Sequence, residues 1–169
     1  MIEVTVARLG LDSTTNSYVV ILREKEGSRL LPIWIGQTEA ESIVNAMNHV
    51  APPRPNAHDL IARLVRGMGG ALRRVTITRV ENNTYFAELA LDVAHIAVQI
   101  DARPSDSIAV ALRLGTPIFV PDELLSDFPS SHDAPDGNAP STRDQELSVE
   151  QLKAYLERLR PEDFGKFNP

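Results

Sequence analysis

Two helix-like segments, residues 38–50 and 56–68, stand between two sets of three strand-like runs. That order constrains the fold more than any other feature of the chain. Ahead of the helices, residues 2–9, 17–22 and 30–35 are rich in β-branched and apolar side chains. Turn chemistry separates the first two, and a Gly27-containing turn over 24–29 suits a hairpin between the second and third. Behind the helices, residues 74–80, 84–91 and 95–100 read as strands, with Asn82 and Asn83 in a tight turn. A third helix over 108–114, a short strand over 118–120 and a brief helix from Pro121 to Leu125 follow. The pattern predicts an α+β domain.

Local signals set the helix limits. Thr38 with Glu41 matches a capping box, and Ile43, Ala46, Met47 and Val50 follow as one apolar face. Pro52, Pro53 and Pro55 end that helix. Asn56 caps the next, whose expected buried face is Ile61, Leu64, Val65 and Met68, with Gly67, Gly69 and Gly70 closing it. In the third helix the face is Ile108, Ala111 and Leu112, ended by Gly115 and Pro117.

The 169 residues contain no cysteine, which excludes disulfides, thiolate catalysis and cysteine-based zinc sites. No apolar run approaches the roughly 18–20 residues that span a bilayer. The first residues show no basic or apolar leader, so a cytoplasmic protein is expected. The net charge of −6 is uneven: residues 1–120 carry 12 acidic and 12 basic side chains, residues 121–169 carry 11 and 5. Residues 128–147 are nearly devoid of apolar side chains and read as a flexible linker, with a helical tail over 148–169. Across residues 51–80, six arginines face only Asp59, a stretch compatible with phosphate binding.

Two polar turns carry the chemistry. One runs Asp101, Ala102, Arg103, Pro104, Ser105, Asp106, at a strand end and a helix N-terminus, where backbone N–H groups favour an anion. The other, Arg54, Pro55, Asn56, Ala57, His58, Asp59, is likewise a charged, proline-containing turn opening a helix. Guanidinium forks on stiff turns, at Arg54 and Arg103, suit phosphate recognition; the bland alternative is an internal ion pair. His58 suits proton transfer near neutrality, or else a hydrogen-bonded core histidine. Glu39, Asp59 and Asp106 have equally plain readings as helix-start acids. The arginines lack neighbouring aromatic positions, which favours a binding module over an open nucleic-acid groove. Gly-rich phosphate loops, Gly-x-Ser-x-Gly, His-Glu-x-x-His and helix-turn-helix patterns are absent.

Taken together, Leu31 to Gly36 with Glu39 and Ala40, then Arg54 and Pro55 with His58, Asp59 and Leu60, then Asp101 to Asp106 with Ile108, Ala109, Pro117 and Ile118, closely resemble the bifunctional nuclease family over residues 1–127. Ala57 departs from the family's usual threonine. The resemblance implies a mixed, largely antiparallel sheet with helices packed against it, association into homodimers, and hydrolysis of DNA and RNA. Chemistry mapped onto the matching positions gives His58 and Asp59 for proton transfer, and Arg54, Arg103 and Ser105 for phosphate. Glu39, Asp101 and Asp106 would hold a divalent cation, magnesium or manganese by oxygen-ligand logic. The alternative is a non-catalytic module that binds an anionic ligand or a protein.

Overall fold

The computed structural model describes residues 1–12 and 16–127. The linker and helical tail expected over 128–169 lie outside the described residues.

The first meander is β1 (Ile2–Asp12), β2 (Ser17–Glu24) and β3 (Leu30–Ile35), followed by α1 (Gln37–Met47) and α2 (Ala57–Gly67). The second meander is β4 (Gly70–Glu81), β5 (Thr84–Val93) and β6 (Ile96–Ala102). Then α3 (Pro104–Leu114) returns the chain to β7 (Ile118–Val120), and a 3₁₀ turn (Asp122–Leu124) replaces the expected brief helix. All seven strands form one sheet in the order β3-β2-β1-β7-β4-β5-β6. Every pairing is antiparallel except β4 with β7, where Val75 stands opposite Ile118. The short β7 lies between β1 and β4 and joins the two meanders into the expected α+β fold with a mixed, largely antiparallel sheet.

Alternation gives the sheet a buried face. Val20, Leu22, Leu31 and Ile33 from the first meander meet Val75, Ile77 and Leu89 from the second. The helix α3 lies across that seam. Pro104 supplies the fixed φ of its first position, and Gly115 at φ 68° closes it with the Thr116 N–H bonded to the Ala111 carbonyl. Its Ile108, Ala109 and Ala111 are fully buried, so α3 is the hub on which α1 and α2 pack. Among the described residues no helix is long and apolar enough to cross a membrane.

Two helix readings are corrected. The Thr38 capping box does not form: the cap of α1 falls two residues earlier, at Gly36, so Thr38 is already helical, and Glu41 accepts from the Gln37 amide at 2.9 Å. This helix also ends at Met47, which leaves Val50 exposed beyond it.

The second correction concerns α2. Its capping box does form, Asn56 with Asp59, both bonds at 2.9 Å. Yet Ile61, Leu64 and Met68 are exposed, and the helix buries His58 and Ala62, with Val65 against the core. Polar bonds from α1 and α3 fix the rotation of this helix, overriding its apolar periodicity.

Candidate functional site

Three helices meet around Ser42, the most polar buried point of α1. Asn56 Nδ2 and Arg113 Nη2 both approach Ser42 Oγ, at 3.3 and 3.0 Å. Neither nitrogen can accept, so the hydroxyl receives twice and must give its own proton away. Its remaining neighbour is His58 Nδ1 at 2.8 Å. That ring nitrogen therefore accepts, the proton sits on Nε2, and Nε2 donates to Asp106 Oδ1 at 3.0 Å. Sequence fixes the pieces locally: Asn56 is held by its own capping box, which turns the amide nitrogen towards Ser42.

On one side of this chain stands Arg113. Its Nε donates to Asp59 Oδ1 at 2.6 Å, and its Nη1 donates to the Ser42 and Ala109 carbonyls. Burial pushes the Asp59 carboxyl up, but the bonds from Arg113 and from the Asn56 N–H, with the charges of Arg113 and Arg63, hold it below its ordinary 3.8.

On the other side stands Arg103, at the cap of α3. Its Nε reaches Asp106 Oδ2 at 2.8 Å, and its Nη2 reaches Asp106 Oδ1 at 3.1 Å and Glu39 Oε1 at 2.9 Å. The hydrogen bond from His58, joined by the guanidinium of Arg103, holds the Asp106 carboxyl down at about 2 against the cost of its burial. Asp106 in turn raises the Arg103 guanidinium above its usual value. The Nη1 of Arg103 makes no hydrogen bond among the described residues, and the side chain is 62% exposed.

Arg103 overlooks a cleft of about 150 Å³ lined by Glu39, Ser105, Ile35, Tyr85 and Asn83, with Trp34 at its border. The tip of the β4–β5 hairpin thus reaches the N-terminus of α3. Tyr85 lies on the helix-bearing side of β5, in step with Ala87 and Leu89, while the indole of Trp34 reaches Asp12 at 3.5 Å. The expectation that aromatic positions are lacking near the arginines is therefore corrected: Arg79 lies over the Phe86 ring, and Tyr85 and Trp34 line the cleft with Arg103. In sequence Tyr85 is 18 residues away, and the pairing of β5 with β6, which sets Ala87 opposite Ala102, brings it close.

The expected site residues divide. Glu39, Arg103, Ser105 and Asp106 converge on the cleft or its wall. His58 and Asp59 are joined to them through the network but sealed from the cleft: His58 is buried with both ring nitrogens bonded, and Asp59 is held by Arg113 and its own cap. Arg54 is exposed in the proline-rich loop and makes no ion pair among the described residues. Asp101 sits on β6 opposite Glu88, with the alternation turning it away from the helices. Of the other basic residues, Arg73 pairs with Asp92, while Arg79 pairs with Glu81 and lies 4.1 Å over the Phe86 ring.

Among the described residues no three acidic or histidine side chains converge as a metal cage. The donors that remain are Glu39 and Asp106. Both Asp106 oxygens are engaged, whereas Glu39 Oε2 is uncommitted among the described residues. Two carboxylates around one guanidinium leave a net negative charge, and Glu39 Oε2 is the oxygen donor a divalent cation could take.

Ser42 and Arg113 were not singled out from sequence. Arg113 had a signal: it is the single charge in the apolar run 108–114, and a charge there requires a buried partner.

Residues 20–132 match the bifunctional nuclease domain family. The chain is 39% identical over 166 residues to the uncharacterized protein Rv1829 of Mycobacterium tuberculosis, covering 96% of this chain and 97% of that one. It is 30% identical over 118 residues to bifunctional nuclease 1 of Oryza sativa subsp. indica, 66% of this chain and 35% of the rice protein. Bifunctional nuclease 1 of Arabidopsis thaliana is 33% identical over 105 residues, 60% of this chain and 32% of that protein. The aligned segment spans about a third of the plant relatives' length.

Proposed function

The chain belongs to the bifunctional nuclease family, and from that premise we propose that it hydrolyses phosphodiester bonds of DNA and RNA in the cytoplasm, as a homodimer, at the cleft beneath Arg103. One observation carries the reading. Arg103 is suspended between two carboxylates and lines the cleft, next to the first turn of α3, with Nη1 free of hydrogen bonds among the described residues.

The roles follow from the geometry. Arg103 Nη1 donates to a phosphate oxygen, aided by the partial positive charge of the α3 N-terminus. Ser105, buried in that first turn and lining the cleft, donates to a second oxygen in this reading. Water attacks phosphorus and releases its proton to solvent as its oxygen bonds to phosphorus. The ester oxygen departs on the opposite side and takes a proton from solvent. Magnesium or manganese bound at Glu39 would offset the excess negative charge and polarise the phosphate. His58 and Ser42 act at one remove, holding Asp106 and so the pose of Arg103.

Incubation with single-stranded DNA or RNA, with magnesium or with EDTA, tests the reading. Cleavage abolished by Arg103→Gln is expected, and intact substrate at high protein and metal concentration would sink it. A second reading, an anion-binding module without turnover, draws on the internal engagement of His58 and Asp59. A thermal shift with oligonucleotide that then stays whole would select it.

A further inference from the structure

The two edges of the sheet differ. At β3 the edge is blocked: Pro32 lies within the strand, and Leu30 is bridged to Ser126. At β6 nothing comparable occurs among the described residues. Ile96–Ala102 contains no proline and no basic residue, and its only charge is Asp101. An open edge of this kind is a template for another strand.

The side chains make it more so. Ile96, Val98 and Ile100 stand opposite Val93, Leu91 and Leu89 on the helix-bearing side, the side that is core everywhere else. Here no helix among the described residues covers them, and they are 64%, 36% and 46% exposed. The stripe of α2 freed by its rotation, Leu60, Ile61, Leu64 and Met68, is exposed as well. The end of that helix lies beside the start of β4: a Cβ on Gly70 would stand 3.0 Å from the Val65 carbonyl, and 3.2 Å from Val93 across the pairing with β5. Ile96, Val98 and Ile100 thus stand in a row along one open strand, an edge that natural sheets usually blunt or cover.

We infer that β6 pairs antiparallel with β6 of a second copy about a two-fold axis through Val98, extending the sheet across both protomers. This rests on the homodimeric part of the proposed function and on none of its chemistry. The strand is complementary to itself in that register. Val98 meets Val98 of the other copy, Ile96 meets Ile100, and Ala97 meets Gln99. His95, in the turn before the strand, meets Asp101, the one charge on the edge, and no like charges oppose.

The absence of cysteine makes the test direct. In the full chain, Val98→Cys places two thiols on the axis at the Cα spacing of directly opposed antiparallel residues, which a disulfide accepts. Mild oxidation is expected to yield covalent dimer for Val98→Cys and little for Gln99→Cys. Val98→Lys, at an exposed position, is expected to keep its circular dichroism and weaken dimerisation at least tenfold by light scattering. A chain that is monomeric at all concentrations overturns both this interface and the homodimer. A dimer that crosslinks at Gln99→Cys instead, fails to crosslink at Val98→Cys, or survives Val98→Lys overturns the interface alone.

Discussion

His58 Nε2 donates to Asp106 Oδ1 at 3.0 Å across the boundary between α2 and α3. Forty-eight residues separate the two in sequence. Through this bond the buried chemistry around Ser42 sets the pose of the exposed Arg103.

Replacing His58 by alanine removes a partner from both Ser42 and Asp106 and leaves a cavity. An unmet buried polar group costs about 1–3 kcal/mol. We expect His58→Ala to lose about 2–3 kcal/mol, seen as a lower urea midpoint with an unchanged slope.

Arg113 holds four groups at once, among them the Asp59 carboxylate, and its side chain is only 10% exposed. Breaking such a pair from one side costs about 3–5 kcal/mol. Arg113→Met is expected to fall in that range, with Arg113→Lys recovering little because ammonium lacks the planar fork. A double-mutant cycle with Asp59→Asn measures the coupling.

Acid stability follows from Asp106. Its folded carboxyl sits at about 2, below the ordinary 3.8, so it stabilises the fold fully above pH 3.8 and loses that contribution as pH falls towards 2. Asp59 is shifted the same way. Asp106→Asn should therefore flatten the fall in melting temperature between about pH 4 and pH 2. An unchanged slope would show that Asp106 is not the responsible group.

Arg103 is expected to behave in the opposite manner to Arg113. Its bonds are solvent-exposed, so Arg103→Gln should change stability by less than about 1 kcal/mol. Oligonucleotide affinity should fall, and the dependence of log affinity on log salt should lose about one unit of slope. Fluorescence anisotropy over a salt series reads both.

The cap of α2 is a local feature with a local cost. Asn56→Ala should lose about 1 kcal/mol from the capping box, and somewhat more if the bond to Ser42 contributes.

Sequence by itself determined what depends on neighbours along the chain. The meanders follow from alternation and hairpin-length turns, the Asn56 cap from a side chain that reaches its own helix, and the close of α3 from the left-handed conformation of Gly115. The two polar turns were legible for the same reason. Tertiary structure decided what depends on groups arriving from elsewhere. Apolar periodicity placed Ile61, Leu64 and Met68 inwards, but the fork of Arg113 and the hydroxyl of Ser42 hold His58 and Asp59 against α1 and α3, and α2 turns its apolar stripe outwards. Asp101 and Asp106, five residues apart, fall on opposite sides of the sheet because the strand continues through Ala102 before the helix begins. The cost of leaving a buried charge or hydroxyl unpaired exceeds the gain from one more buried leucine. That balance is settled only when all three helices meet.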